Sequence, residues 1–239
     1  MTLRISLWSG PRNVSTALMY SFAQRADTLV VDEPLYGHYL RVSGADHPGK
    51  AEVMAAMECD GERVIKEVIF GDCAKPVLFF KNMAHHLVEL DLEFLHSLTN
   101  ILLTRNPEEM LPSLAQNIPQ PTLRDTGYDV QVRLLGKLLA SGQMPPVLEA
   151  RELLLNPSAI LQQLCQQLKL PFDNAMLHWT TGGRPEDGVW AKYWYDGVHR
   201  STAFAEYQPK TAPFPDHLRP LLAECKPYYE QLLKYAIKN

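Results

Sequence analysis

No apolar run in this sequence approaches the roughly 18 residues that a membrane-crossing helix needs, so a spanning segment is excluded. Cysteine is scarce. Cys59, Cys73, Cys165 and Cys225 are scattered, with neither CxxC nor Cys/His zinc spacing. They read as reduced thiols of an intracellular, cytoplasmic protein, two of them on apolar helix faces. Positive charge is not in excess either: 23 Lys and Arg stand against 27 Asp and Glu, a net of −4. That balance excludes a general nucleic-acid binder, which needs a positive surface to release counterions, but leaves room for a local anion pocket. The first eight residues lack the long apolar core and small-residue cleavage site of a secretory leader. Repeats, low-complexity tracts and Gly/Ser linkers are missing too, so no domain boundary is marked. What remains is ordinary globular material, 239 residues with 46% hydrophobic and 21% charged. Such a chain can bury roughly 70–75% of its surface without disulfides or a structural metal. The expectation is one α/β domain over 1–239, with 176–239 forming a C-terminal cap or helical extension.

Short apolar runs punctuate the sequence. Leu3–Trp8 alternates as a strand, Leu29–Val31 ends at Asp32-Glu33-Pro34, Val77–Phe80 runs into Lys81, and Ile101–Thr104 runs into Arg105. Pro146–Glu149 makes a further candidate. Runs so short and so apolar suit strands of a parallel sheet buried on both faces. Helical spacing appears at Ser15–Gln24, at Asn156–Leu168 with Asn156 as N-cap and Pro157 in the first turn, and from Leu218 to Leu233. Alternating strands and helices predict an α/β fold with a mostly parallel sheet, whose ligands bind beyond the carboxyl ends of the strands. The residues just after each strand therefore carry the interest.

Ser9-Gly10-Pro11-Arg12-Asn13-Val14-Ser15-Thr16 joins the first strand to the first helix, where free amides and the helix dipole attract an anion. It offers one cation and two adjacent hydroxyls, and it lacks the Gly-Lys pair of a Walker A loop. A plain turn with Ser15 as N-cap is the simpler reading of this segment alone. Arg105-Asn106-Pro107 follows a second buried strand, with Ser113 eight residues after the Arg, about two helical turns on. An Arg fork and a hydroxyl meeting at one point would clamp a phosphate monoester. Taken separately, Arg105 could instead pair with a carboxylate and Ser113 face solvent.

Together the two segments resemble the PAPS-dependent sulfotransferase family of the bacterial type. Pro11-Arg12-Asn13-Val14-Ser15-Thr16 stands where the family has its phosphosulfate loop, and Arg105-Asn106-Pro107 with Ser113 matches its 3′-phosphate site. Glu149 to Leu153 and the Leu170-Pro171-Phe172-Asp173 turn fit as well, so the likeness covers about residues 3 to 175. Val14 departs from the family's usual Gly, a place where a Cβ restricts the backbone torsion. The family's Arg-Lys-Gly element has no clear copy; Lys192, Arg200, Ser201 and Thr202 are the substitutes. The resemblance implies a P-loop NTPase-like fold and transfer of a sulfuryl group from PAPS (3′-phosphoadenosine 5′-phosphosulfate). The acceptor would be the hydroxyl or amine of a small molecule, with no metal, nucleic acid or membrane involved and a homodimer left open. It makes Arg12, Asn13, Val14, Ser15, Thr16, Arg105 and Ser113 cofactor contacts, with Arg12 and Lys81 the cations at the transferring group.

The base that accepts the acceptor's proton has three candidates. Glu33 stands where some branches carry a Glu, and His85 and His86 follow Lys81 at a different spacing from the family's His. Glu33 could otherwise pair with Arg12 and order the loop. The alternative for the histidines is one on a helix face and one facing solvent. Trp179, Trp190, Tyr193, Trp194 and Tyr195 could wall a ligand pocket or simply pack, while Tyr36, His38 and Tyr39 are better placed to meet an acceptor. A P-loop small-molecule kinase and a nucleotide-binding protein without catalysis are the competing functions.

Overall fold

The computed structural model describes residues 2–239. Five strands form one all-parallel sheet: β1 (Leu3–Ser9), β2 (Thr28–Asp32), β3 (Val77–Met83), β4 (Thr99–Thr104) and β5 (Val147–Glu149). Their spatial order is β2-β3-β1-β4-β5, with Leu3 opposite Val77 and Ile5 opposite Thr99 across the central strand. β3 joins one edge of β1 and β4 the other, so the connections reverse direction at β1. A crevice opens at such a switch point.

The period-2 alternation of side chains sorts each strand between two cores. Ile5 and Leu7, Phe79, Ile101 and Leu103, and Leu148 face one side; Trp8, Leu78 and Phe80, Leu102, and Val147 face the other. The first core is covered by α1 (Ser15–Phe22) and a later helix, Pro157–Gln167, and Phe22 stacks on Phe79 at 4.2 Å. Each fully buried Leu, Ile or Phe here contributes about 1.5–3 kcal/mol.

In chain order the other main helices are α2 (Tyr36–Ser43), α3 (Lys50–Ala56), α4 (Pro107–Leu114) and α5 (Tyr128–Ala140). Pro157–Gln167 is α6, and α7 is Arg219–Leu233. α4, α5 and α7 cover the second core, α7 through Leu221, Leu222, Cys225 and Leu232. A third, smaller cluster joins α2 and Val53 of α3 to Trp190, Ala191 and Tyr195.

The strands lie where the apolar runs predict them. β1 differs in character: its alternation suggests one polar face, yet every residue from Ile5 to Ser9 is buried. As the central strand it is covered on both sides, and its polar atoms find partners inside. Asn82 Nδ2 donates to the Ser6 hydroxyl (2.9 Å), and Trp8 Nε1 donates to Asn100 Oδ1 (2.9 Å). Residues 176–239 do two different things. α7 belongs to the helical layer, tied down by Ile237 N donating to Val147 O (2.9 Å), whereas Trp190–Tyr195 closes over the strand ends.

Candidate functional site

At the carboxyl ends of β1, β2 and β3 a pocket encloses a cavity of about 90 Å³. Arg12, Asn13, Ser15, Thr16, Glu33, Lys81, His85 and His86 all line it, so eight residues singled out from sequence meet at one point.

The β1–α1 turn is built on a strained residue. Arg12 has φ 50°, and Glu33, at the end of β2, has φ 39°; Glu89 and Lys169 are the other non-glycine residues described with positive φ. Such conformations cost about 1–3 kcal/mol each and persist only where neighbours fix them. For Glu33 the neighbours are Lys81 O, which accepts from Glu33 N (2.8 Å), and Tyr36 N, which donates to Glu33 O (2.9 Å). For Arg12 the clamp is Arg105, whose Nη1 donates to Arg12 O (2.9 Å).

Val14, by contrast, has φ −86°, outside the left-handed region that would call for a glycine. The N-cap position falls on Val14, not Ser15. Ser15 is the first helical residue, and the Asn13 side chain accepts from Val14 N (2.8 Å). The first-turn amides of α1 have no partner within the helix, and Ser15 and Thr16, in that turn, line the cavity.

Lys81 is 1% exposed and has four acidic or hydroxyl partners. Its Nζ lies 2.8 Å from Asp32 Oδ1 and 2.5 Å from Glu33 Oε1, donates to the Tyr195 hydroxyl, and reaches Thr16 Oγ1 at 3.5 Å. Burial alone would strip the ammonium of its proton; the two carboxylates outweigh that and push its pKa up. Burial pushes Glu33 up as well, with Asp32 adding to the effect and Lys81 only partly offsetting it. Glu33 therefore pairs with Lys81 and not with Arg12. Among the described residues, its second oxygen, Oε2, has one ionisable partner, His86 Nε2 at 3.9 Å, and no hydrogen bond.

His85 and His86 are both buried, 4% and 1% exposed, which overturns the reading of one helix-face and one solvent-facing imidazole. β3 continues straight into the turn that carries them, beneath α2. His86 is sandwiched between Tyr36 (4.9 Å) and Tyr39 (4.8 Å). Burial, with His47 adjacent, draws the His85 pKa down to about 3, and burial with His85 draws His86 well below its usual range. Both imidazoles are neutral, and the Nδ1 of each is buried without a partner.

Arg105 and Ser113 sit on the other side of Arg12, outside the cavity. Arg12 Nε donates to Ser113 Oγ (3.0 Å), so loop, Arg105 and Ser113 form one continuous patch. Arg105 also pairs with Glu109 (3.3 Å), the carboxylate partner foreseen in the simpler reading, without leaving the loop. The hydroxyl of Tyr128 fixes the strand end by donating to Arg105 O (2.6 Å). The structure does not bring Lys192 or Arg200 to this patch. Lys192 pairs with Glu52 (2.7 Å) and Arg200 with Asp196 (2.5 Å), both at the surface.

The aromatic run divides. Trp190, Trp194 and Tyr195 line the cavity, Trp179 packs on Tyr20 and Phe204, and Tyr193 is exposed beside Gly49. Tyr36 reaches the cavity, while His38 turns away to Val88 O (2.8 Å). Sequence reasoning missed His47 and the part played by Asp32 and Tyr195, for which no local spacing gives a signal. Among the described residues no helix is long and apolar enough to cross a membrane.

A family model for the sulfotransferase domain matches residues 3–236. Two curated Arabidopsis thaliana proteins, branched-chain-amino-acid aminotransferase-like proteins 2 and 1, are each 41% identical, over 95% and 98% of this chain. The chain spans only about two fifths of their length, 41% and 42%. Among solved structures, the sulfotransferase domain of the curacin biosynthetic pathway has a TM-score of 0.55 at 16% identity, covering 95% of this chain and 98% of that one. The sulfotransferase from Alicyclobacillus acidocaldarius gives 0.53 at 12%, covering 100% and 97%. At those identities the likeness is one of fold, and it is to sulfotransferases, which have a P-loop NTPase-like architecture. Matched over all but its first two and last three residues, the chain belongs to the sulfotransferase domain family.

Proposed function

We propose that this chain transfers a sulfuryl group from PAPS to the hydroxyl or amine of a small acceptor, with Glu33 as the base. One observation carries this reading: two cations, Arg12 and Lys81, and a carboxyl of raised pKa, Glu33, line a single cavity at an open helix N-terminus.

The residues present suit the donor. Arg105 spends three of its five N–H groups, two on Glu109 and one on Arg12 O, leaving two for a phosphate. Ser113 adds a hydroxyl whose proton is not engaged by its bond from Arg12. Arg105 and Ser113 would hold the 3′-phosphate, and Arg12, Ser15, Thr16 and the first-turn amides of α1 the phosphosulfate. When bound, PAPS supplies the sulfuryl group.

The chain's own part is positioning, charge and proton removal. Arg12 and Lys81 place positive charge where the bridging and transferring oxygens gain negative charge. Glu33 Oε2, free of strong partners, takes the proton from the acceptor's O–H or N–H. A base is most effective when its pKa approaches the working pH, and burial moves Glu33 in that direction. Burial lowers the pKa of both His85 and His86, so the two imidazoles add no positive charge that would compete with Lys81 and Arg12 for the anion.

A thermal-shift titration tests the reading. 3′,5′-ADP, the spent donor, should raise Tm more than ATP with Mg²⁺; the reverse ranking would favour a kinase and remove this assignment.

A further inference from the structure

The Tyr195 hydroxyl lies at the centre of the buried charge cluster although it comes from the C-terminal segment, far in sequence from the strand ends. It is 2.9 and 2.8 Å from the two Asp32 oxygens and 3.3 Å from Glu33 Oε1, and it accepts from Lys81 Nζ. Trp190 Nε1 donates to it at 2.9 Å. A phenol has one proton to give and two lone pairs to offer. Here both lone pairs are filled, by Lys81 and Trp190, and the proton is directed at the carboxylates. The hydroxyl's single proton lies within reach of three carboxylate oxygens, nearest to Asp32, and Glu33 Oε1 shares it at the longer distance.

Asp32 takes three donors, Lys81, Tyr195 and the Gly188 amide (3.2 Å). Glu33 takes its donors on Oε1. The asymmetry between its two oxygens follows from where Lys81 and Tyr195 stand.

We propose that Tyr195 is a positioning residue: by coordinating Lys81, Asp32 and Glu33 Oε1 at once, it commits Oε1 to the network and turns Oε2 into the cavity as the oxygen that receives the acceptor's proton. This rests on the reading of Glu33 as the base. The ionisable groups facing the Glu33 carboxyl are Lys81 from β3, Asp32 from β2, Tyr195 from the cap, His86 from the turn after β3 and Tyr36 from α2; His199 faces the Tyr195 ring at 6.1 Å. Among these, Tyr195 and Lys81 hydrogen-bond to the carboxylate of Glu33 and favour its ionised form, against burial.

Removing the hydroxyl should therefore raise the pH at which Glu33 ionises. The measurement is an infrared pH titration of the full chain without ligand, following the carboxylic-acid carbonyl band that Glu33→Gln removes. In Tyr195→Phe the midpoint of that band should move up, by on the order of one unit. A Tyr195→Phe protein that keeps its wild-type midpoint, whether or not its Tm falls, overturns the proposal, because a residue that only anchors the cap leaves the carboxyl titration alone. If Tyr195→Phe does not fold, Trp190→Phe decides. It keeps the phenol but removes one of its donors, and should shift the midpoint the same way by less; no shift overturns the proposal. Failure of wild-type protein to bind 3′,5′-ADP would instead sink the function reading, whatever the midpoint does.

Discussion

Two charged clusters flank Arg12, and they are built on opposite principles. On one side Asp32, Glu33, Lys81 and Tyr195 are all buried, with Lys81 at 1% exposure, and every strong partner of Lys81 and Asp32 is inside the protein. On the other side Arg105, Glu109 and Ser113 are half-open, and Arg105 keeps donors to spare. Low dielectric makes the first cluster costly to disturb and shifts its proton affinities. The second is screened by water, so its contacts exchange readily with a ligand's. On the proposed function the first cluster would serve the chemistry and the second the binding, and the strained Arg12 joins them.

The sharpest way to break the comparison is Lys81→Met. It leaves two buried carboxyl groups without their cation and should cost about 3–5 kcal/mol in urea unfolding. A loss comparable to that of a surface ion pair would mean the buried cluster is no different from the open one.

The pH dependence of stability comes next. Unfolded imidazoles take up protons below about 6.5, while native His85, held down to about 3 by burial, and native His86, also lowered, do not. Between those limits the unfolded state binds more protons, so stability falls as pH falls, by about 1.4 kcal/mol per unit for each imidazole. Glu33 acts in the opposite sense. Its folded pKa is raised, so its contribution is present below the ordinary glutamate range and fades as pH rises through the folded value. Two imidazoles outweigh one carboxyl. Urea titrations from pH 7 to pH 5 should show declining stability, and His85→Asn should flatten the slope by one imidazole's share.

On the open side, Arg105→Ala should weaken 3′,5′-ADP by roughly 10- to 100-fold, the worth of charge-assisted hydrogen bonds to a phosphate, and 5′-AMP by much less. Equal losses in calorimetric titrations would misplace the 3′-phosphate clamp. The smallest effect belongs to Lys192→Ala. With its ammonium at the surface on Glu52, 3′,5′-ADP affinity should stay within about twofold. A larger loss would restore Lys192 to the binding patch.

Much of the site was legible because an apolar strand followed by a polar residue is a local pattern. Glu33, Lys81 and Arg105 each end or follow such a run, and a parallel sheet gathers those ends at one edge. The loop was legible in residue types but not in torsions. The positive φ falls on Arg12, and Val14 is conventional, because Arg105 fixes the turn from another strand. His85 and His86 could not be placed from sequence, since their burial depends on Tyr36 and Tyr39 of a different helix. Lys192 and Arg200 have the right charge, but Glu52 and Asp196 hold them at the surface.

The sequence by itself determined the strands, their parallel arrangement, the family, and which residues would stand at the strand ends. The strands and their ends depend on periodicity and short-range spacing, and the family on the resemblance of two short motifs, all of which a linear string records. Only the tertiary structure decided which carboxyl pairs with which cation, which oxygen of Glu33 stays free, and that Tyr195, 114 positions from Lys81, completes the cluster. Protonation and orientation in a buried network are set by what surrounds each group in space, and that enclosure exists only once the cap has folded over the sheet.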